Sequence, residues 1–294
     1  MTSVAVVAHS GKTVGGGLGE LREVLAHEGV VDPIWFEVPK SRKAPKRARR
    51  AAEAGADLVF VWGGDGMVQR CLDTLADFDT TIAIVPAGTA NLLATNLGIP
   101  GDIAEAVRVG LHGARRKLDL GRINGERFAV MAGAGFDARM IRDADSGMKD
   151  RLGRVAYLFT GAKHLRGERV RMRIRVDGEA WFDDEAGCVL FGNVGKMFGG
   201  IDAFEHARPD DGRLEIGVVT AEGVVQWTRA LGRTALGHAE KSPFVHTTSG
   251  KKFSVTLAKA TPYELDGGDR TETKRLKVRV EPAAITVCVP EAES

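Results

Sequence analysis

The chain has little cysteine. Cys71, Cys188 and Cys288 are scattered through 294 positions without metal-ligand spacing, which argues against a zinc module and for buried thiols in a reducing compartment. It has no run of 18 apolar residues and no signal-peptide opening, so a spanning helix is not expected and the chain reads as cytoplasmic. It has no large charge excess: the net charge of +2 is too small for a dedicated nucleic-acid binder. The seven histidines show no ligand spacing. What remains is an ordinary globular composition, long enough for one large domain or two modest ones.

Charge is uneven locally. KSRKAPKRARR, from Lys40 to Arg50, holds seven basic residues and no acid. It reads as a solvated loop and helix face, or as an attractor of phosphates or an anionic lipid surface. Arg171, Arg173 and Arg175 alternate with apolar residues. They read as the exposed face of a strand, with headgroup contact as the alternative.

Apolar runs at 4–8, 34–38, 57–62 and 81–88 read as strands. Between them lie helical patterns: Leu18, Leu21 and Leu25; an alanine-rich stretch ending near Gly55; Val68, Cys71, Leu72 and Leu75; and Asn91 to Asn96. That alternation implies a parallel sheet with helices on both faces. Near Leu118 the rhythm changes. Asn124-Gly125 between LDLGRI and RFAVMAG signals a hairpin. Strands are expected at 170–176, 187–194, 213–219, 252–258, 263–266, 275–280 and 284–289, with helices at about 150–166 and from Glu222 to about His238. The helix at 150–166 mixes apolar and basic residues, and suits a core face or a membrane interface. The expected domains are therefore 1–117, α/β, and 118–274, β-rich.

Glycine then concentrates around one acid. In VFVWGGDGMVQR, residues 59–70, Gly63, Gly64 and Gly66 surround Asp65 between a strand and a helix. Amides of such a turn converge on anions, the helix start adds its positive end, and missing side chains let phosphate oxygens come close. Asp65 would repel phosphate but can hold a bridging divalent cation or its water. A tight turn with a capping aspartate is the alternative, though three glycines exceed what a cap needs. PAGTANLLA, 86–94, repeats the pattern one unit later with Gly88, Thr89 and Asn91. The loop after the first strand, HSGKTVGGG, is not a P-loop, because Val6 stands where the first glycine belongs. Ser10 and Lys12 nonetheless fall at the same sheet edge, where ligands of such sheets bind.

These residues resemble the diacylglycerol kinase catalytic-domain family, shared with sphingosine kinases and more distantly NAD kinases. WGGDGMVQ is similar to its G-G-D-G-T signature and PAGTANLLA to its P-x-G-T-x-N-D-x-A. AGAGFDA, LGRVAYL, FGNVGKMFGG, ARPDDGRLEI and YELDGG follow in the family's order over nearly the whole chain. The resemblance implies a Rossmann-like α/β nucleotide domain, a C-terminal β-sandwich-type domain, a final segment from about 275 to 294 returning to the first domain, and an active-site cleft between the two. It implies an ATP- and Mg2+-dependent lipid kinase acting on the hydroxyl of diacylglycerol or a similar lipid alcohol. Gly63, Gly64, Asp65, Gly66 and Met67 match the nucleotide loop; Gly88, Thr89 and Asn91 match the second. The family's P-D-D-G-x-L segment implies a structural Mg2+ held by the Asp211 side chain and the carbonyls of Arg208 and Arg213. An ordinary turn is the plain reading of those residues. Peripheral contact with the inner face of a membrane and a homodimer are compatible with this; a nucleic-acid partner is not expected.

Three positions depart from the family. Met67 replaces a threonine and Leu92 an aspartate. The family's D-G-E supplies a proton-accepting glutamate, and here that position is Gly268. Asp266 and Asp269 are the carboxylates left to take its part, directly or through water. The alternatives are a nucleotide- or lipid-binding homologue impaired in catalysis, and an NAD kinase.

Overall fold

The computed structural model describes residues 2–135, 169–197, 201–202, 204–221 and 242–291. The helices expected at 150–166 and from residue 222 lie outside them. The chain divides into two compact units, Met1–Leu118 with Ala283–Ser294, and Asp119–Pro282.

The first unit is a parallel sheet. Its strands are β1 (Val4–His9), β2 (Ile34–Val38), β3 (Leu58–Gly63) and β4 (Thr81–Pro86). β1 pairs with both β2 and β3, and β3 with β4, all in parallel. β1, β3 and β4 are apolar almost throughout and buried, as strands covered on both faces must be. The helices are α1 (Gly17–His27), α2 (Ala44–Glu53), α3 (Asp65–Leu75), α4 (Leu92–Asn96) and α5 (Ile103–His112). α1 packs on α5, and α2 on α3. Sequence periodicity missed α5, yet its start was legible: Asp102 accepts the Glu105 N–H at 3.0 Å, an N-cap followed three residues on by an acid. Asn91 lies outside its expected helix. It is the N-cap of α4, at φ 47°.

The second unit is antiparallel. It contains β5 (Ala114–Ile123, entering from the first unit), β6 (Glu126–Phe128), β7 (Met131–Ala134), β8 (Val170–Val176), β9 (Glu179–Ala186), β10 (Cys188–Gly192), β11 (Lys196–Met197), β12 (Ile201–Asp202), β13 (Leu214–Val219), β14 (Val245–Gly250), β15 (Lys252–Leu265) and β16 (Gly268–Val289). The four strands expected after residue 252 are thus two long ones. β15 serves two layers: residues 263–265 pair with β7, and 253–257 with β8. Register shifts between Thr256 and Tyr263 separate the two pairings, as bulges do when a strand bends between layers. The core lies between the layers, where Phe191 meets Phe253 edge-on at 5.3 Å. β16 runs antiparallel to β15 as far as Arg279, and its later residues 286–287 pair in parallel with β4 in the first unit. Pro282, which has no N–H, and Ala283 at φ 48° mark the passage.

One charge cluster holds the second unit. Glu281 accepts from Arg122 at 3.0 Å, Arg127 at 2.6 Å and Arg279 at 2.7 Å. Burial alone would raise its pKa, but these three guanidinium bonds outweigh burial and hold the carboxyl at about 2. A depressed carboxylate stabilises the fold above its unfolded pKa and ceases to as pH falls toward the folded value. Glu281→Gln should therefore cost about 2 kcal/mol at neutral pH and almost nothing near pH 2, read as the difference in urea midpoint at the two pH values.

Candidate functional site

The order β4–β3–β1–β2 fixes where loops can open. The chain steps from β1 to β2 on one side, then returns to β3 on the other side of β1. Loops leaving the carboxyl ends of β1 and β3 therefore diverge, the usual place for a ligand in such sheets. The first of these loops is held by its main chain. His9 Nδ1 accepts the Gly11 N–H at 3.1 Å, Glu20 takes the Gly16 N–H at 2.6 Å, and the Ser10 N–H donates to Val38 O at 3.0 Å. The indole of Trp62, the residue before Gly63, donates to Lys12 O at 3.2 Å. That leaves the Lys12 side chain exposed at the rim.

Each glycine around Asp65 has its own reason. A Cβ at Gly63 would lie 2.7 Å from Met67 Cβ, so Gly63 makes room for a buried Met67. A Cβ at Gly88 would lie 2.4 Å from Gly64 Cα, and one at Gly64 would lie 3.0 Å from Gly88 Cα. The two loops thus touch backbone to backbone, 24 residues apart in sequence. Gly66 differs: a Cβ there would meet nothing within 4 Å. The opening amides of a helix have no intrahelical partner, and Gly64 offers α3 no side-chain cap. The Met67 and Val68 amides turn back to Gly64 O, which leaves the first-turn amide of exposed Gly66 as the donor for an anion.

Asn91 closes the second loop on itself. Its Oδ1 accepts the Gly88 N–H and its Nδ2 donates to Gly88 O, both at 2.9 Å. Thr89 is exposed beside it. Asp65 braces one loop against the other: its carboxylate accepts the Leu93 N–H at 3.4 Å, with the amides of Leu92 and Asn91 also facing it. Burial raises its pKa, and those amides only partly counter the rise. The structure therefore gathers Gly63, Gly64, Asp65, Gly66, Gly88 and Asn91, and joins Lys12 to them through Trp62. Met67 points away into the core.

In the second unit two clusters form. Around the Asp210-Asp211-Gly212 turn, buried Asp119 accepts the Gly212 N–H and its own N–H donates to Pro209 O, both at 2.6 Å. Asn193 ties this to the next strand, donating to the carbonyls of Asp119 and Ala129 at 2.9 Å each. The Arg213 N–H donates to Asp211 Oδ1 at 2.9 Å, and Asp211 and Arg208 are exposed. A set of one carboxylate and backbone carbonyls suits a hard cation. Among the described residues no group of three or more His, Cys, Asp or Glu side chains is arranged for a metal. Asp119 and Asn193 were not singled out from the sequence; a lone acid inside the apolar LDLG was the available signal.

The second cluster surrounds Asp266, which is 5% exposed and at φ 43°. Its carboxylate accepts three consecutive amides, Ala129 at 2.8 Å, Val130 at 3.0 Å and Met131 at 2.9 Å. That splits the expected RFAVMAG strand into β6 and β7. Asp266 is thus a structural anchor, while Asp269 stands exposed after it. Gly268 lies between them. A Cβ there would come within 2.9 Å of an Arg270 guanidinium nitrogen, which donates to Gly268 O. Arg270 is held in turn by Glu126 at 2.7 Å. One buried carboxylate was missed: Glu264, near Cys188, whose thiol burial pushes up to about 12 with Glu264 adding to the rise.

Known proteins match both units. Residues 4–123 fit the diacylglycerol kinase catalytic domain, and 130–289 the YegS C-terminal NAD kinase beta sandwich-like domain. A diacylglycerol kinase of Bacillus subtilis is 28% identical over 232 residues, covering 76% of this chain and 75% of its own. A probable lipid kinase YegS-like of Pseudomonas aeruginosa is 31% identical, covering 83% and 81%. The crystal structure of a diacylglycerol kinase from Bacillus anthracis superposes with a TM-score of 0.76 at 22% identity, covering 98% and 96%. The architecture is that of an N-terminal α/β domain with parallel strands and a C-terminal β-sandwich domain.

Proposed function

We propose that this chain, which belongs to the diacylglycerol kinase and YegS-like lipid kinase family, transfers the γ-phosphoryl group of ATP to the hydroxyl of diacylglycerol or a similar lipid alcohol. The observation that carries this is the backbone contact of Gly64 with Gly88, in the loops after β3 and β4 next to the switch point between β1 and β3, beside the open space at Gly66. Two loops locked at main-chain distance hold the Gly66 amide open to a polyphosphate, with no side chain in the way. Such transfer depends mainly on positioning and charge stabilisation, and these are what a rigid amide cradle supplies. Lys12 adds a mobile positive charge at the rim. Asp65 keeps the two loops in register, so its role is positioning. A bound Mg2+ would neutralise phosphate charge and orient the transferred group. Asp211 and the carbonyls of Arg208 and Arg213 would hold a second, structural ion.

The bond between the β–γ bridging oxygen and the γ-phosphorus breaks, and the lipid oxygen takes its place. The hydroxyl proton leaves to a carboxylate or to water. Asp266 is committed to three amides, so Asp269 is the acidic side chain of this segment that can receive it. A second reading is favoured by the Arg270 guanidinium standing where the family glutamate would extend: a homologue that binds nucleotide and lipid but transfers slowly.

Labelled ATP with diacylglycerol in mixed micelles separates the two. Transfer that falls about 10²–10³-fold in Asp65→Ala supports the kinase. If ATP binds and no lipid alcohol is phosphorylated, the second reading holds, and Gly268→Glu should then raise turnover by about 10²–10⁴-fold. Absence of any ATP binding by the folded chain overturns both.

A further inference from the structure

We infer that the phosphate site of the first unit continues along the rim of its sheet into a site for inorganic polyphosphate, which serves as a second phosphoryl donor. The rim is continuous. Ser10, in the loop after β1, donates to Val38 O at the end of β2, through its N–H at 3.0 Å and its Oγ at 3.4 Å. The turn that follows, Ser41–Lys43, packs against α3, whose first turn holds the open Gly66 amide. β2 lies two strands from β3, so the path from Gly66 past Lys12 to Lys40 is about 10 Å. A chain of more than three phosphates covers that length.

The cations divide along this path. Lys40, Arg42, Lys43 and Lys46 are exposed, and among the described residues none of the four forms an ion pair or covers a ring. Farther along α2, Arg47 and Arg50 lie 5.4 Å and 5.6 Å from the Phe36 ring, and Arg49 lies 5.4 Å from Phe78. α2 starts at the carboxyl rim and runs back from it, as helices between parallel strands do. The uncommitted charge therefore gathers beside the phosphate site. Glu37, the acid of β2, is already bonded to Arg22 at 3.2 Å and Trp35 at 2.8 Å. Nor does the helix favour these cations. Its N-cap is Lys43, which gives it no side-chain cap, and its first turn has no acid, although helix starts favour negative charge. The rings of β2 decide what kind of anion fits. Trp35 and Phe36 are half-buried, and each already carries a guanidinium, Arg22 at 3.6 Å in the first case. They offer no platform for the base stacking on which single-stranded nucleic acids rely. A phosphate chain without bases matches the site, and its terminal group is transferable.

The donor role rests on the lipid-kinase reading. The bond between the last bridging oxygen and the terminal phosphorus breaks, and the lipid oxygen takes that phosphorus. The hydroxyl proton leaves to a carboxylate or water, and the polyphosphate departs one phosphate shorter. Calorimetry of the full chain with magnesium compares tripolyphosphate with a long-chain polyphosphate. An exposed ion pair contributes up to about fivefold, so four cations should make the long chain bind about 10²-fold more tightly. Mg-ATP should displace it. The quadruple variant Lys40→Gln, Arg42→Gln, Lys43→Gln, Lys46→Gln should lose this advantage, keep its affinity for tripolyphosphate and melt no lower than the parent. Arg171→Gln with Arg173→Gln, whose cations pair with Asp183 of β9 at 3.0 Å and 3.3 Å, should bind as the parent does. Circular dichroism checks that both variants fold. Labelled polyphosphate with diacylglycerol in mixed micelles should then yield labelled lipid. A long chain that binds no more tightly than tripolyphosphate overturns the proposal. So does an advantage that survives in the quadruple variant, or preferential capture of transfer RNA. Transfer from ATP but not from polyphosphate overturns it and leaves the kinase reading standing; transfer from neither removes both.

Discussion

Gly88→Ala is expected to lower phosphate transfer by at least about 100-fold, while Gly66→Ala leaves the fold intact and weakens nucleotide binding alone. The added methyl group at Gly88 would meet Gly64 Cα at 2.4 Å and Asn91 Oδ1 at 2.7 Å. The first of these is backbone and cannot swing aside, so the loops must part. Displacement of about 1 Å in a positioning element costs roughly 10²-fold in rate, and overpacking costs about 1–3 kcal/mol. At Gly66 the methyl group has free space, and alanine favours the helix by about 0.5–1 kcal/mol. Its melting temperature should rise slightly while its affinity for Mg-ATP falls about tenfold or more, an estimate from the close phosphate approach that glycine loops permit. Opposite signs in the melt, with calorimetry for affinity, distinguish a glycine kept for packing from one kept for a ligand. Unchanged affinity in Gly66→Ala would remove that position from the cradle.

Asp266→Ala should be the most destabilising single change in the second unit, by about 4 kcal/mol, because three buried amides lose their acceptor and each orphaned donor costs about 1–3 kcal/mol. The left-handed backbone at Asp266 adds strain for alanine. Asp269→Ala, exposed, should cost under about 0.5 kcal/mol. Hydrogen exchange at residues 129–131 reads the difference directly. Those amides should lose protection in the first variant and keep it in the second. Stability preserved in Asp266→Ala would mean the amides find other acceptors, and would return that carboxylate to the candidates for proton transfer.

Local patterns made much of this legible. The four parallel strands, the two glycine loops and the Asn124-Gly125 hairpin follow from apolar runs and turn residues, which act over a few positions. What escaped depends on partners far apart in sequence. Gly64 is explained by Gly88 and Gly63 by Met67, so glycines read as one phosphate cradle divide into two packing positions and one open one. Asp266 was read as chemistry because its anchoring partners, Ala129 to Met131, lie over 130 residues earlier. The bend in β15 left no mark, since a register shift changes pairing without changing residue type. α5 could have been found from Asp102 and Glu105.

The path of β16 bears on how the protein is made. The outer edge of β4 receives its neighbour from Thr286 and Val287, which leave the ribosome some 200 residues after β4 itself. Until then the nascent α/β layer carries an open strand edge, the kind of surface that invites misassociation. Its completion waits for the residues from 283 onward, so a stop codon introduced before residue 283 would leave a product with an unfinished first domain.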